Sequence, residues 1–293
     1  MKTDHVDMKG FVGILIITLL WGSNYPAIKI TNAGFSPIFT SFLRSVIASV
    51  LGIGYCLAIR QNLFHRGSLL FHGLAVGILF GLEFAFLYLG MFFTDSARAV
   101  IFIYISPFVV AAGAHLFLGE RLSPLKWTGL FLAFGGLVSV FYGKPSHYNR
   151  LMFVGDICEI VAAIIWGVTT LYIKKYLAGK MHPINTFLYQ LVFSVPVLFL
   201  CSYFVETQWI KAPGAIQIAS LGFQSVIIAF ISYLAWFKLI HDYPVARLTV
   251  FTFLTPVFGV LFAALIQHEQ ITAGLMAGLL MVCAGIYVTN YTR

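Results

Sequence analysis

Residues 105–137 read ISPFVVAAGAHLFLGERLSPLKWTGLFLAFGGL, and residues 254–286 read LTPVFGVLFAALIQHEQITAGLMAGLLMVCAGI. Overlaid at an offset of 149 residues, they place Pro107 on Pro256, Glu120 on Glu269, Gly129 on Gly278 and Gly136 on Gly285. The match runs without a gap from Ser96–Tyr142 onto Val245–Tyr291 and sets Ala97-Arg98 on Ala246-Arg247. Earlier segments follow with a small shift. Trp21-Gly22 with Lys29 matches Trp166-Gly167 with Lys174 at the same internal spacing, and Pro37 with Arg44 matches Pro183 with Gln190. The chain is a duplication.

Each copy is a series of apolar runs. Of the 293 residues 60% are apolar and 10% charged, against about 25% charged in a soluble domain. Mean hydropathy is +0.93, which marks an integral membrane protein. Runs near the ~20 residues that a bilayer core requires fall at 10–30, 36–59, 68–93, 96–118, 124–142, 153–175, 185–205, 214–239, 245–267 and 271–291. The expected fold is therefore all-α, with ten transmembrane helices. Five helices per copy is an odd number, so the second copy enters the bilayer upside down. Such inverted repeats characterise secondary transporters, with the substrate site near the midplane between halves.

Ten spans put both termini on one side. That side would collect Lys2, Lys9, Arg60, Arg66, Arg121, Lys126, Lys174, Lys175, Lys180, Lys238, Arg247 and Arg293. The other would hold Lys29, Arg98, Lys144, Arg150 and Lys211, with Arg44 inside a span. The positive-inside rule then makes both termini cytoplasmic. The net charge of +8 is accounted for by this topology and does not call for nucleic acid. Phe11 to Leu20 resembles a signal-peptide core, but no small-residue cleavage site follows and the helix runs on.

The two quoted stretches carry a serine- or threonine-proline, an apolar helix, an acidic turn and a glycine-spaced final helix. With LLWGSNYPAIKI at 19–30 and VGDICEIVAAIIWGVTTLYIKK at 154–175, they resemble the EamA-type domains of the drug/metabolite transporter superfamily. The resemblance covers two five-helix repeats, 10–142 and 153–291. It implies a ten-helix carrier, often an exporter of amino acids, metabolites or drugs, with helices one, three, four, six, eight and nine around a central cavity. One departure is His268-Glu269, where the second copy lacks the glycine before glutamate; an altered turn is expected there.

Candidate site residues come from the breaks in the apolar pattern. Pro26 cannot donate to the carbonyl of Gly22 and crowds it, so the first helix is expected to kink beside Asn24. Backbone freed at membrane depth packs against protein or lines a water-filled cavity, and both readings stand for this segment. Pro107 and Pro256, near the middles of helices four and nine, mark matched hinges that either pack or shape a gate. Glu83 lies near the middle of helix three, where an acid costs about 2.5–3.5 kcal/mol on insertion scales. It points away from the Gly73, Gly77 and Gly81 stripe, and its repeat partner is Ser232. It suggests proton coupling or recognition of an amino group, with a purely structural hydrogen-bonding carboxyl as the alternative. Trp21, Tyr88, Tyr104, Trp166, Tyr233 and Trp236 lie inward or beside the breaks. Some of them would wall a pocket for an apolar or aromatic solute. Arg44 reads first as snorkelling or anchoring carbonyls and second as binding substrate, Glu120 and Glu269 as shaping the turns that follow them, and Asp156 with Glu159 as acids opening helix six.

Other chemistry is not signalled. HExxH, GxSxG and phosphate-loop patterns are missing, Cys56, Cys158, Cys201 and Cys283 have no metal or disulfide spacing, and no cofactor or catalytic residue is indicated. The expected partners are a small-molecule substrate and the lipid bilayer, not nucleic acid; oligomeric state is left open. The leading reading is export of amino acids or related metabolites across a bacterial cytoplasmic membrane by alternating access. Hydrophobic drug efflux is the neighbouring alternative, and a polytopic lipid-modifying enzyme the alternative of another class.

Overall fold

The computed structural model describes residues 6–65, 67–94, 96–141, 150–267 and 273–291. Within them, the side chains of residues 25, 29, 96, 97, 141, 263–267, 273 and 275 are not described. Arg66, Lys144, His268, Glu269 and Thr272, with Lys2 and Arg293 at the ends, lie outside the described residues.

The structure is all-α. Its elements are α1 (Met8–Asn32), α2 (Pro37–Ala58), α3 (Ser68–Phe93), α4 (Ser96–Ile103), α5 (Ser106–Phe117), α6 (Pro124–Phe141) and α7 (Arg150–Tyr172) in the first part of the chain. They continue with α8 (Pro183–Val205), α9 (Ala215–Phe223), α10 (Tyr233–Asp242), α11 (Val245–Phe251), α12 (Leu254–Gln267) and α13 (Ala273–Asn290). Wider π-helical turns extend α7 through Ile173–Leu177 and join α9 to α10 through Gln224–Ser232. Among the described residues, 8 helical stretches are long and apolar enough to cross a membrane, and the shorter apolar helices Pro124–Val140 and Met276–Asn290 complete the set of ten.

Local chemistry explains the boundaries. The Asp7 carboxylate accepts from the Gly10 N–H, 2.8 Å away, at the start of α1. Pro37 and Pro183 occupy first-turn positions, where a missing N–H costs nothing. Gly119 follows α5 with φ +71, a left-handed conformation that glycine adopts without strain.

Span four breaks between α4 and α5, and span nine between α11 and α12. Pro107 lies in the first turn of α5 and Pro256 in the first turn of α12. Each proline thus begins a new helical piece. Pro26 stands inside α1, which is continuous from Met8 to Asn32 with no break in its helical assignment.

Packing repeats by symmetry. In α6 and α13, a Cβ on Gly285 would lie 2.5 Å from the Gly129 carbonyl oxygen, and one on Gly136 2.7 Å from that of Gly278. The repeat turns each contact into the other. Likewise, Gly22 faces Phe258 and Thr255 while Gly167 faces Val109 and Ser106, the corresponding residues at the 149-residue offset. Small residues at these crossings let backbones approach where lipid offers no hydrophobic driving force for association. The first five-helix set and its inverted copy therefore enclose a shared interior.

Carboxylates tie the ends together. Glu120 accepts from the N–H groups of Val245 and Ala246, each at 3.1 Å, and so caps α11 of the other copy. This corrects the expectation that it shapes its own following turn: the free N–H groups of a helix start attract a carboxylate from wherever packing brings one. Glu206 does the same for α2, accepting from Ile38 at 2.7 Å and Phe39 at 2.9 Å.

Candidate substrate cavity

A cavity of about 800 Å³ lies between the two halves. Trp21, Asn24, Glu83, Tyr88, Tyr104, Trp166, Tyr233 and Trp236 all lie on its wall, as does Pro26. Pro107 and Pro256 are not among its lining residues; they sit beside it at the helix breaks. Spans two and seven, formed by α2 and α8, also reach the cavity through Arg44 and Gln190, which widens the expected set of six spans.

The deep wall is aromatic. Trp21 meets Trp166, Tyr233 and Trp236 edge-on, with ring centroids 6.3, 5.6 and 5.4 Å away. Tyr104 meets Trp166 at 6.2 Å. These edge-to-face contacts suit the ring quadrupoles and fix a rigid surface for flat or apolar groups. The indole N–H of Trp21 donates to the Ser232 hydroxyl at 2.9 Å. Ser232 is thus spent orienting an aromatic, while its repeat counterpart, Glu83, carries a carboxyl.

Arg44, Glu83 and Glu159 are the buried charge-bearing side chains among its lining residues. Arg44 is 3% exposed, Glu83 6% and Glu159 1%. The Arg44 guanidinium lies over the Phe84 ring, 4.9 Å from its centroid, and Nη1 donates to the Tyr88 hydroxyl at 3.4 Å. It therefore lies against the stretch of α3 that carries Glu83. The π-face contact desolvates the cation without removing its charge.

Among the described residues, several buried polar atoms on this wall lack a hydrogen-bond partner: Asn24 Oδ1, Asn32 Oδ1, Arg44 Nε, Thr255 Oγ1 and both oxygens of Glu159. Buried polar groups are otherwise almost always paired. Their concentration on one wall provides donors and acceptors for a polar solute.

Sequence reasoning set Arg44 and Glu159 aside. α7 begins at Arg150, so Asp156 and Glu159 lie in its second and third turns and do not open the helix. Asp156 instead forms an ion pair with Arg98 and accepts from the Thr94 hydroxyl at 2.7 Å. Glu159 was detectable by period: it precedes Trp166 by seven residues, two helical turns, on the same face. Asn32 likewise continues the face of Trp21, Asn24 and Ile28.

One mouth is defined by the rim. The cavity reaches Pro37, Phe92 and Lys211, on the face away from the N-terminus. On the N-terminal face, Lys174 Nζ donates to the carbonyls of Ile240 and Tyr243, each at 2.6 Å. The Tyr243 hydroxyl donates to Asp7 at 2.6 Å. This bond holds the Asp7 carboxyl below its usual range and, with burial, pushes the Tyr243 phenol up to about 12.

An all-α bundle of apolar helices around an aromatic-walled central cavity with buried polar groups, built from an inverted duplication, defines a membrane transporter and not an enzyme. The model of the EamA-like transporter family matches residues 8–142 and 153–291, and the chain belongs to that family. It is 25% identical to the uncharacterized transporter YoaV of Bacillus subtilis over 97% of this chain and 98% of that one. It is 25% identical to a probable amino-acid metabolite efflux pump of Salmonella typhimurium, over 96% of this chain and 94% of that protein. A probable amino-acid metabolite efflux pump of Escherichia coli is 22% identical over 98% of this chain and 96% of its own length. A solved crystal structure shares the fold, with TM-score 0.81 and 18% identity over 94% of both chains.

Proposed function

We propose that the chain is an alternating-access carrier that exports amino acids or related zwitterionic metabolites across a bacterial cytoplasmic membrane, with both termini cytoplasmic. The observation that carries this reading is a guanidinium and carboxyls facing one aromatic-walled cavity. Arg44, with an unpaired Nε, suits a substrate carboxylate. Glu83 beside it suits the ammonium, and Trp21, Trp166, Tyr233 and Trp236 suit the side chain. The basic side of the sequence and the two efflux-pump relatives support the orientation and substrate class.

The same aromatic wall favours a second reading, efflux of lipophilic drugs. Liposome counterflow of a labelled amino-acid mixture separates the two. Amino-acid counterflow competed by zwitterions and not by lipophilic cations supports the first. Competition by lipophilic cations alone would transfer the protein to the drug reading, and no flux of either class would count against a carrier of these solutes.

Alternating access follows from the duplication. In this reading the two copies exchange conformations during the cycle, which moves the mouth of the cavity from one face to the other. Pro107 and Pro256, at the breaks of spans four and nine, are the hinges in this reading, with Pro26 shaping the cavity wall.

A further inference from the structure

Glu159 is the more deeply buried of the two acids on the cavity wall, 1% exposed against 6% for Glu83. It lines the wall, yet neither carboxylate oxygen has a hydrogen-bond partner among the described residues. Its side chain crosses the backbone of α3 at Gly90, where an added Cβ would lie 2.6 Å from Oε1. A glycine there makes room for the carboxyl.

Among the described side chains, its charged surroundings offer it no cation. On its own helix stand Asp156, one turn earlier, and Cys158. Packed against α7, α4 brings Arg98, which Asp156 engages through Nε at 3.2 Å and through Nη2. From α3, Glu83 enters the same cavity beside Arg44; α5 brings His115 only at its far end, where Lys174 and Lys175 also lie. An ionised carboxylate at this depth without a counter-charge is strongly disfavoured. Arg44 packs on Phe84, the residue after Glu83; among the described side chains, Glu159 has no such cation beside it.

We propose that Glu159, and not Glu83, carries the proton exchanged during transport; this rests on the carrier reading above. Water entering the cavity delivers a proton that forms an O–H bond on the Glu159 carboxylate, giving a neutral acid. After the cavity inverts, that bond breaks to water on the other side and restores the carboxylate. Glu83 and Arg44 are then left for the substrate.

Infrared titration of the full-length protein in lipid vesicles tests this, with the proton itself as the probe. Wild type should show a protonated-carboxyl C=O band that disappears as pH is raised. Glu159→Gln should lose that band, Glu83→Gln should keep it, and Gly90→Ala, which leaves the acid in place but crowds it, should shift its frequency. A band of full strength in Glu159→Gln, no such band in wild type, or a Gly90→Ala spectrum identical to wild type would each overturn the assignment. Counterflow on the same vesicles keeps the failures distinct. Wild type that moves no amino acid would remove the carrier reading while leaving the Glu159 band standing as a proton site.

Discussion

Lys174 Nζ stands 2.6 Å from the carbonyl oxygen of Tyr243 and grips the C-terminal end of α10 on the N-terminal face of the protein. A cation there satisfies carbonyls that the helix end leaves free. Carried by the repeat onto the other copy, Lys174 becomes Lys29, and Ile240 and Tyr243 become Met91 and Thr94 at the end of α3.

The first prediction follows from that pairing. Charge-assisted hydrogen bonds contribute about 1.5–3 kcal/mol, so Lys174→Met should shift the conformational balance roughly tenfold or more towards opening on the N-terminal face. Lys29→Met should bias it the opposite way. Labelling of single cysteines introduced beside Tyr243 and beside Phe92 reads both mouths; equal labelling in the two variants would refute the exchange.

Substrate recognition should divide between Arg44 and Glu83. Arg44→Lys keeps the charge but loses the planar fork that a carboxylate engages, and should weaken amino-acid counterflow about tenfold or more. Competition by simple amines should be less affected. Glu83→Gln should show the reverse pattern, with amine competition lost and carboxylate competition retained.

The cap supplied by Glu120 is a stability feature. Glu120→Ala leaves the N–H groups of Val245 and Ala246 without their acceptor and should cost about 0.5–2 kcal/mol, visible as a lower unfolding temperature in detergent. Glu206→Ala should do the same through Ile38 and Phe39.

Crossings at glycine should tolerate nothing larger. Gly285→Val places its Cβ against the Gly129 carbonyl and the Ala133 N–H, both backbone atoms that no rotamer change can move. Overpacking of this kind costs about 1–3 kcal/mol. Thermal unfolding should fall accordingly, while Gly222→Val, in open space, should change little.

The contact between Tyr243 and Asp7 makes the N-terminal mouth acid-sensitive. Asp7 is held below its usual value in the folded state, so its contribution is present at neutral pH and fades as pH falls through that lowered value. Tyr243→Phe should abolish this acid dependence of cysteine labelling at the N-terminal mouth. Unchanged acid sensitivity in the variant would show that another group is responsible.

Much of the architecture was legible in one dimension. Hydropathy runs located the apolar helices, and the 149-residue self-match announced the inverted duplication. Trp21, Asn24, Glu83 and Trp166 drew attention because polar, bulky or helix-breaking residues at bilayer depth are costly. Glu159 escaped notice because an acid near a span's start has an ordinary interfacial explanation. Extending the helix back to Arg150 removed that explanation. Arg44 had an equally ordinary one in snorkelling, which only its 3% exposure displaced.

By itself the sequence determined the membrane class, the helices, the repeat and the family resemblance, because these depend on composition and spacing along the chain. Tertiary structure alone decided that Glu120 caps the opposite copy, that Arg98 is engaged by Asp156 while Glu159 lacks a hydrogen-bonding partner among the described residues, and which mouth is latched. Those outcomes depend on how far each helix is rotated and on the depth at which it meets its neighbour. Rotation and depth are set by close contacts such as Gly22 against Phe258, between residues that no local pattern joins.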